Sequence, residues 1–318
     1  MISKNKDSLS ISYEVAKEIM KDKAASFYQA FSNLPKERFE CVAAVYAFCR
    51  YADDVVDNDP FGELKQEVLR ALLALEFAVN SLYRNLEQSD LEIAQSVFSL
   101  SWWEAFQDAV KKYQIPMQPF IQQINGQRKD VDFKDLETLD DLIEYSRLVA
   151  GSVGTMLLPI IAIDIETAHN QELMGACENL GIAMQITNIL RDVGEDLRTR
   201  NRVYLPQDYL VKYKIRRSDL EVLAHLGADV LVDIPSGFID LWEELAGVAD
   251  RYYEYYEAWI RSFHKNARMP LVAAALSYRA IADAVRKENY NCFTKRCYTS
   301  AMKRADIILQ AQRKVMEK

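Results

Sequence analysis

Apolar positions recur three and four residues apart almost from end to end of this chain, a spacing that predicts helix. Tyr13 to Phe31 opens the series, with Ala24, Phe27, Tyr28 and Phe31 at helical spacing. Residues 1–12 are polar and read as a flexible tail. Asn33 and Pro35 mark a cap and a first turn. Phe39, Val42, Val45, Tyr46 and Cys49 then hold the period up to Asp57, and Pro60 ends the segment. Further helices are expected over 63–86, 91–113 and 119–129. Thr138 and Asp141 open the next as a capping box with Asp in the place of Glu. Residues 145–163 carry Gly151, Gly154 and Pro159, which should kink or break the helix and leave room for a ligand against bare backbone. A long helix is expected over 171–198, then others over 218–226, 237–264, 270–287 and 295–318. No segment keeps the two-residue alternation of a strand, and no repeat or low-complexity linker interrupts the series. The pattern predicts one all-α domain over 13–318.

Composition narrows the functions open to such a body. A length of 318 residues leaves room for two domains, but ten glycines and eight prolines are few, and the helical pattern is continuous. The net charge of −8 argues against a nucleic-acid partner and means that an anionic substrate needs local positive charge or a metal. Five cysteines, Cys41, Cys49, Cys177, Cys292 and Cys297, form no C-x₂-C pair and read as buried small hydrophobes in a reducing cytoplasm. Three scattered histidines make a zinc site improbable. The N-terminus lacks the apolar region of a signal peptide. The longest apolar run, 153–163, is too short to span a bilayer, so membrane contact is expected to be peripheral at most. No obligate protein partner is evident.

Chemistry enters with two acidic clusters. Asp53-Asp54-Val55-Val56-Asp57 is answered 139 residues later by Asp192-Val193-Gly194-Glu195-Asp196. Each places carboxylates at i and i+4, on one helix face a turn apart. Facing one another in a water-poor cavity, they would repel by several kcal/mol unless cations intervened. Hard oxygen ligands on rigid helices suit Mg²⁺, which keeps waters and shares its shell with substrate phosphates. The first cluster also ends its helix, where the dipole disfavours anions, so a cation-binding role accounts for it better than a solvated face does. The second helix is apolar nearly all round, yet carries Gln185, Asn188, Asp192 and Asp196 spaced 3, 4 and 4. A metal–diphosphate ligand would satisfy that buried stripe; an interhelical hydrogen-bond network is the alternative.

Basic groups lie nearby in sequence. Arg50, three residues before Asp53, can pair with that carboxylate or fork onto diphosphate oxygens. Arg198, Arg200 and Arg202 run towards Tyr204-Leu205-Pro206, a basic loop fit to cap an acidic metal site or simply to be solvated. Ser26, Tyr46, Tyr278, Asn289-Tyr290 and Lys295-Arg296 are weaker candidates, because aromatics at helical spacing are usually core.

Assembled, these residues resemble the squalene/phytoene synthase family, the head-to-head prenyl synthases, over about 26–296. The likeness rests on Ser26-Phe27-Tyr28, on 46–57 from Tyr46 through Arg50 to Asp57, and on Val149-Ala150-Gly151-Ser152-Val153-Gly154. It rests most on 185–196, Gln185 through Asn188, Arg191 and Asp192 to Asp196, followed by Arg202-Val203-Tyr204-Leu205-Pro206. The resemblance implies an isoprenoid-synthase helical bundle around a central apolar cavity. It implies two or three Mg²⁺ ions held by Asp53, Asp57, Asn188, Asp192 and Asp196, with diphosphate met by Lys23, Ser26, Arg50, Gln185, Arg191, Lys295 and Arg296. Phe27, Phe31 and Tyr46 would line the prenyl site, and Tyr278 or released diphosphate would take the proton. Departures are visible: Lys23 and Ala24 stand where relatives carry His or Ser, Tyr145-Ser146-Arg147 lacks a second tyrosine, and Lys295 replaces a common Arg.

Within that family, bulky Phe31 would shorten a tail pocket and favour farnesyl diphosphate, whereas Ala43 adds room. The N-terminal half is most like dehydrosqualene (4,4′-diapophytoene) synthases of carotenoid pathways, which need no NADPH. The expectation is therefore dehydrosqualene formation in the cytoplasm. Phytoene synthase, NADPH-dependent squalene synthase and a catalytically inactive helical assembly factor are the alternatives. The intact clusters disfavour the assembly factor. A terpene cyclase would carry an Asn/Ser/Glu pattern that Asp192 to Asp196 does not match.

Overall fold

Helical periodicity in the sequence becomes helix nearly throughout the computed structural model, which describes residues 2–59, 62–227 and 233–317, with the backbone alone at 2–7, 25 and 26. The N-terminal third holds α1 (Ile2–Lys23), α2 (Ala25–Phe31), α3 (Lys36–Asp57), α4 (Lys65–Asn80) and α5 (Gln88–Phe98). Then come α6 (Trp103–Tyr113), α7 (Met117–Val131) and α8 (Leu139–Ser146), a π-helical turn at Arg147–Gly151, α9 (Ser152–Ile161) and α10 (Ile165–Ala168). The long α11 (Gln171–Arg200) precedes α12 (Gln207–Lys212), α13 (Arg217–Ala224) and α14 (Ser236–Tyr253). A 3₁₀ segment at Tyr255–Ser262, α15 (Lys265–Lys287) and α16 (Ala301–Glu317) complete the chain. Among the described residues, β pairing is limited to one isolated bridge, Ala162 to Phe263.

Several boundaries differ from the sequence pattern. The tail expected over 1–12 is helix from Ile2, because Ser8 donates to Glu104 at 2.6 Å and the Ser12 hydroxyl accepts from the Ala105 N–H at 2.9 Å. The helix expected over 91–113 is two, turning at Ser99 to Trp102, where Trp102, Trp103 and Phe106 pack ring against ring. Residues 288–300 form a loop, so the last helix starts at Ala301 instead of Lys295. Thr138 and Asp141 do form the capping box. Pro60 lies outside the described residues.

α11 is the axis of the molecule, packed by α9, α14, α15 and the π turn. Glycines set how closely its neighbours approach. A Cβ on Gly154 would lie 2.3 Å from the Cys177 carbonyl oxygen, and one on Gly181 would lie 2.3 Å from that of Ala150. The bare backbone of 151–154 is therefore filled by α11, not by a ligand as the sequence suggested. The irregularity expected there takes the form of the π turn. α2 packs on α3 and α15, α3 on α9, α9 on α11 and α11 on α15, so five helices close a ring. Ring residues Phe27, Tyr46, Val153, Met184, Leu276 and Tyr278 stay half-buried although their helices pack on both sides. All five cysteines are buried and free.

Candidate active site

α3 and α11 deliver the two acidic clusters to opposite sides of one cleft of about 280 Å³. Asp53, Asp57, Gln185, Asn188, Arg191, Asp192, Asp196 and Arg296 all line it. Arg200 measures how closely the walls face: it donates to Asp57 at 2.9 Å and to Asp196 at 3.1 Å. The clusters are thus one guanidinium apart.

Burial dominates the electrostatics. The Asp53 carboxyl is pushed up to about 7 by burial, with Asp57 adding to the rise and Arg50 opposing it. Gln127 donates to Asp53, and Gln123 does so at 3.5 Å. Asp196 is likewise raised to about 7 by burial, which Arg200 offsets and Asp192 and Glu195 reinforce. Arg191 forks onto Asp192 at 2.7 and 2.5 Å, and Arg296 reaches Asp192 at 3.3 Å and Glu195 at 3.5 Å. Five lining carboxylates therefore face four guanidinium groups. Repulsion inferred from the sequence is relieved here by the chain's own arginines.

Gly194 explains how Arg296 gets there. A Cβ at this position would lie 2.1 Å from the Phe293 carbonyl oxygen, and the Gly194 N–H donates to Cys292 at 3.1 Å. Only a glycine lets the 288–300 loop lie against α11, which brings Arg296 onto the second cluster. Arg198, instead of capping the cleft, donates to the carbonyls of Phe293 and, at 2.9 Å, Ala224.

Other expected residues distribute unevenly. Arg50 pairs with Asp54 rather than Asp53, since Asp54 lies a full turn on along the same face. Burial raises Tyr46 to about 12, with Arg50 and Asp53 close enough to act on it. Its ring lies 6.4 Å from Phe27, which sits 4.5 Å from Phe31. Tyr278 is half-buried on α15 beside Arg191. Lys295 points to Glu288 and Lys23 to Asp22 at 3.5 Å; neither is among the residues lining the cleft. The Ser26 side chain lies outside the described residues.

The helix expected over 119–129 is α7, but its polar side chains are not among the expected site residues. Gln123, Gln127 and Asp130, spaced 4 and 3, are buried; Gln127 and Asp130 line the cleft, and Gln123 lies behind them between Asp53 and Ser152. Asp130 accepts from Tyr145 at 2.9 Å and from Tyr204 at 3.0 Å, and the Arg202 guanidinium lies 3.4 Å away. Burial raises the Asp130 carboxyl, and these three partners oppose the rise. This network fixes the Arg202 to Pro206 segment under the second cluster. The spacing on α7 is the signal that could have revealed it.

Among the described residues, no three acidic, histidine or cysteine side chains gather closely enough to hold an ion on their own. The donor set nevertheless fits a hard cation shared with a phosphate-bearing ligand. All its atoms are oxygens, and Asn188 Oδ1 is buried without a hydrogen-bond partner. No described helix is long and apolar enough to cross a membrane.

Comparison with known proteins agrees with this geometry. The chain is 32% identical to the 15-cis-phytoene synthase of Synechococcus elongatus, over 92% of this chain and 89% of that one. It is also 32% identical to the 4,4′-diapophytoene synthase of Staphylococcus haemolyticus, over 95% and 96% respectively. The crystal structure of a dehydrosqualene synthase in complex with ligand superposes with a TM-score of 0.81 at 31% identity, covering 98% of this chain and 99% of that one. The squalene/phytoene synthase pattern matches residues 20–303. With its two acidic clusters opposed across one cleft in an all-α isoprenoid-synthase bundle, the chain belongs to the squalene/phytoene synthase family and is a prenyltransferase of the head-to-head type.

Proposed function

We propose that this enzyme joins two farnesyl diphosphates through presqualene diphosphate to dehydrosqualene, with Mg²⁺ and without NADPH. The observation that carries the reading is the cleft itself: two carboxylate walls one guanidinium apart, with the unpartnered Asn188 oxygen between helical neighbours. Asp53, Asp57, Asn188, Asp192 and Asp196 would hold Mg²⁺, which when bound neutralises a departing diphosphate as a Lewis acid.

The chain's own groups divide the remaining work. Arg191 and Arg296, already paired at the second cluster, offer planar donors to diphosphate oxygens, and Arg50, whose Nε is buried and unpartnered, does so from the first. Loss of diphosphate from one substrate leaves an allylic cation, which the double bond of the other attacks. Half-buried Phe27 and Tyr46 present aromatic faces to such a cation, and the closed ring of helices keeps water from it. A proton must then leave to close the cyclopropane. Tyr145 donates its hydroxyl to Asp130 at 2.9 Å and burial raises it well above the ordinary tyrosine value, so released diphosphate or Tyr278 is the better acceptor.

Phe31 supports the C15 substrate, because it is 2% exposed and packed on Phe27, where it would close the end of a tail pocket. The runner-up is phytoene synthesis from geranylgeranyl diphosphate, favoured by the buried Ala43 and by equal identity to a phytoene synthase. Purified enzyme with Mg²⁺ and either diphosphate, with and without NADPH, followed by product chromatography, decides between them. A C30 product lacking the central reduction is expected. A C40 product, or a C30 product only with NADPH, would overturn the assignment.

A further inference from the structure

Arg200 differs from the other cationic groups of the cleft in what it touches. Arg191 and Arg296 engage the second cluster alone, and Arg202 is committed to Asp130 and Tyr204 beneath the cleft. Arg200 alone among these four joins both walls, through Nη2 to Asp57 at 2.9 Å and Nη1 to Asp196 at 3.1 Å, partners on helices 143 and 4 residues away in sequence. It occupies the final position of α11, beside Asn201 in the left-handed conformation at φ 53°. Its side chain is 30% exposed, so it can swing outward without unwinding buried helix.

The oxygens it occupies are two of those assigned to Mg²⁺ above, and the present inference rests on that assignment. A guanidinium and a divalent cation cannot both sit between Asp57 and Asp196. We infer that Arg200 is a resident counterion and a positioning residue for the metal site. It holds the two acidic walls together before substrate arrives and opposes entry of a bare divalent cation. When cation and diphosphate arrive together, it leaves the carboxylates and turns its planar donors to the diphosphate oxygens. The chemistry favours that exchange, because the metal takes over the neutralising of the carboxylates while diphosphate supplies the displaced guanidinium with a new anion. Arg200 thereby couples metal binding to diphosphate binding, so that metal without substrate binds poorly.

The test is Mn²⁺ binding, read from the electron paramagnetic resonance of free Mn²⁺, with and without inorganic pyrophosphate. Wild type, Arg200→Gln and Arg200→Lys are compared, their folding checked by circular dichroism. Arg200→Gln should bind Mn²⁺ alone about tenfold tighter or more, the size one neighbouring unit charge imposes on a carboxylate's proton affinity. Pyrophosphate should raise Mn²⁺ affinity about tenfold less in this variant than in wild type, since its donor to the anion is gone. Arg200→Lys should fall between, because one ammonium cannot fork across two walls; if Arg200→Gln fails to fold, this variant decides by the same sign. A purely structural role would lower stability without tightening Mn²⁺ binding. Unchanged Mn²⁺ affinity in the variants, with pyrophosphate raising all three alike, overturns the counterion role while leaving the metal reading in place. No Mn²⁺ binding by wild type even with pyrophosphate overturns both.

Discussion

Asp53 and Asp196 show what it costs a fold to prepare an anionic wall. Both carboxyls are raised from an ordinary 3.8 to about 7, chiefly by burial. A carboxyl raised in the folded state holds its proton more firmly folded than unfolded. Its stabilising contribution is therefore fully present below pH 3.8 and is lost as pH rises towards 7. In chelator-treated protein, the stability difference between wild type and Asp53→Asn or Asp196→Asn should accordingly turn against wild type across that window. Both variants should melt above wild type near pH 8 and still give no product. Thermal melts at a series of pH values check this; variants melting below wild type near pH 8 would show that the pairing of these carboxylates outweighs their burial. Asp130 is the contrasting case, a buried acid whose partners are all within the chain. Asp130→Ala strands Arg202 and two tyrosine hydroxyls in the interior, so a loss of about 3–5 kcal/mol is expected in denaturant unfolding.

Contrast within a helix decides what can be read from it in advance. In α11 the run Leu180–Leu190 is mostly apolar, so the stripe Gln185, Asn188, Asp192 and Asp196 stands out in the sequence, and it lines the cleft in the structure. α7 hides its own stripe because Gln118 and Gln122 lie on the wetter face while the chemically identical Gln123 and Gln127 are buried. Only packing separates them. The first turns of the N-terminal helix, before Tyr13, are equally illegible, since their anchors, Glu104 and Ala105, lie more than ninety residues away. Gly194 carries a similar long-range meaning: nothing local in the acidic motif calls for a glycine, and the reason is contact with Phe293. Gly194→Ala should push the 288–300 loop off α11, costing about 1–3 kcal/mol from overpacking and weakening pyrophosphate binding. Arg296→Ala should show the binding loss without the stability loss. Calorimetric titration with pyrophosphate beside thermal melts distinguishes the two; equal stability losses would mean that Arg296, not the glycine contact, anchors the loop.

Across the whole molecule, charge and greasiness are kept apart. In a chain of net charge −8, four arginines and five carboxylates share one cleft, so on the proposed function metal and diphosphate would complete the balance there. On that proposal the prenyl tails would extend away from the cleft into the ring formed by α2, α3, α9, α11 and α15, where half-buried apolar residues remain available. α2 stands in that ring with Phe31, at 2% exposure, against Phe27. Depth of the chamber, hence chain length of the substrate, should depend on this contact. Phe31→Ala should raise the C20 to C15 usage ratio in a competition assay containing both diphosphates, at a stability cost of about 3–5 kcal/mol. Phe31→Leu removes less volume, so it should shift the ratio in the same direction while remaining well folded. An unchanged ratio in both would place the tails elsewhere in the ring. A raised ratio in Phe31→Leu alone, with Phe31→Ala unfolded, would still assign the limit to α2, because lost volume and altered selectivity would then coincide at one side chain.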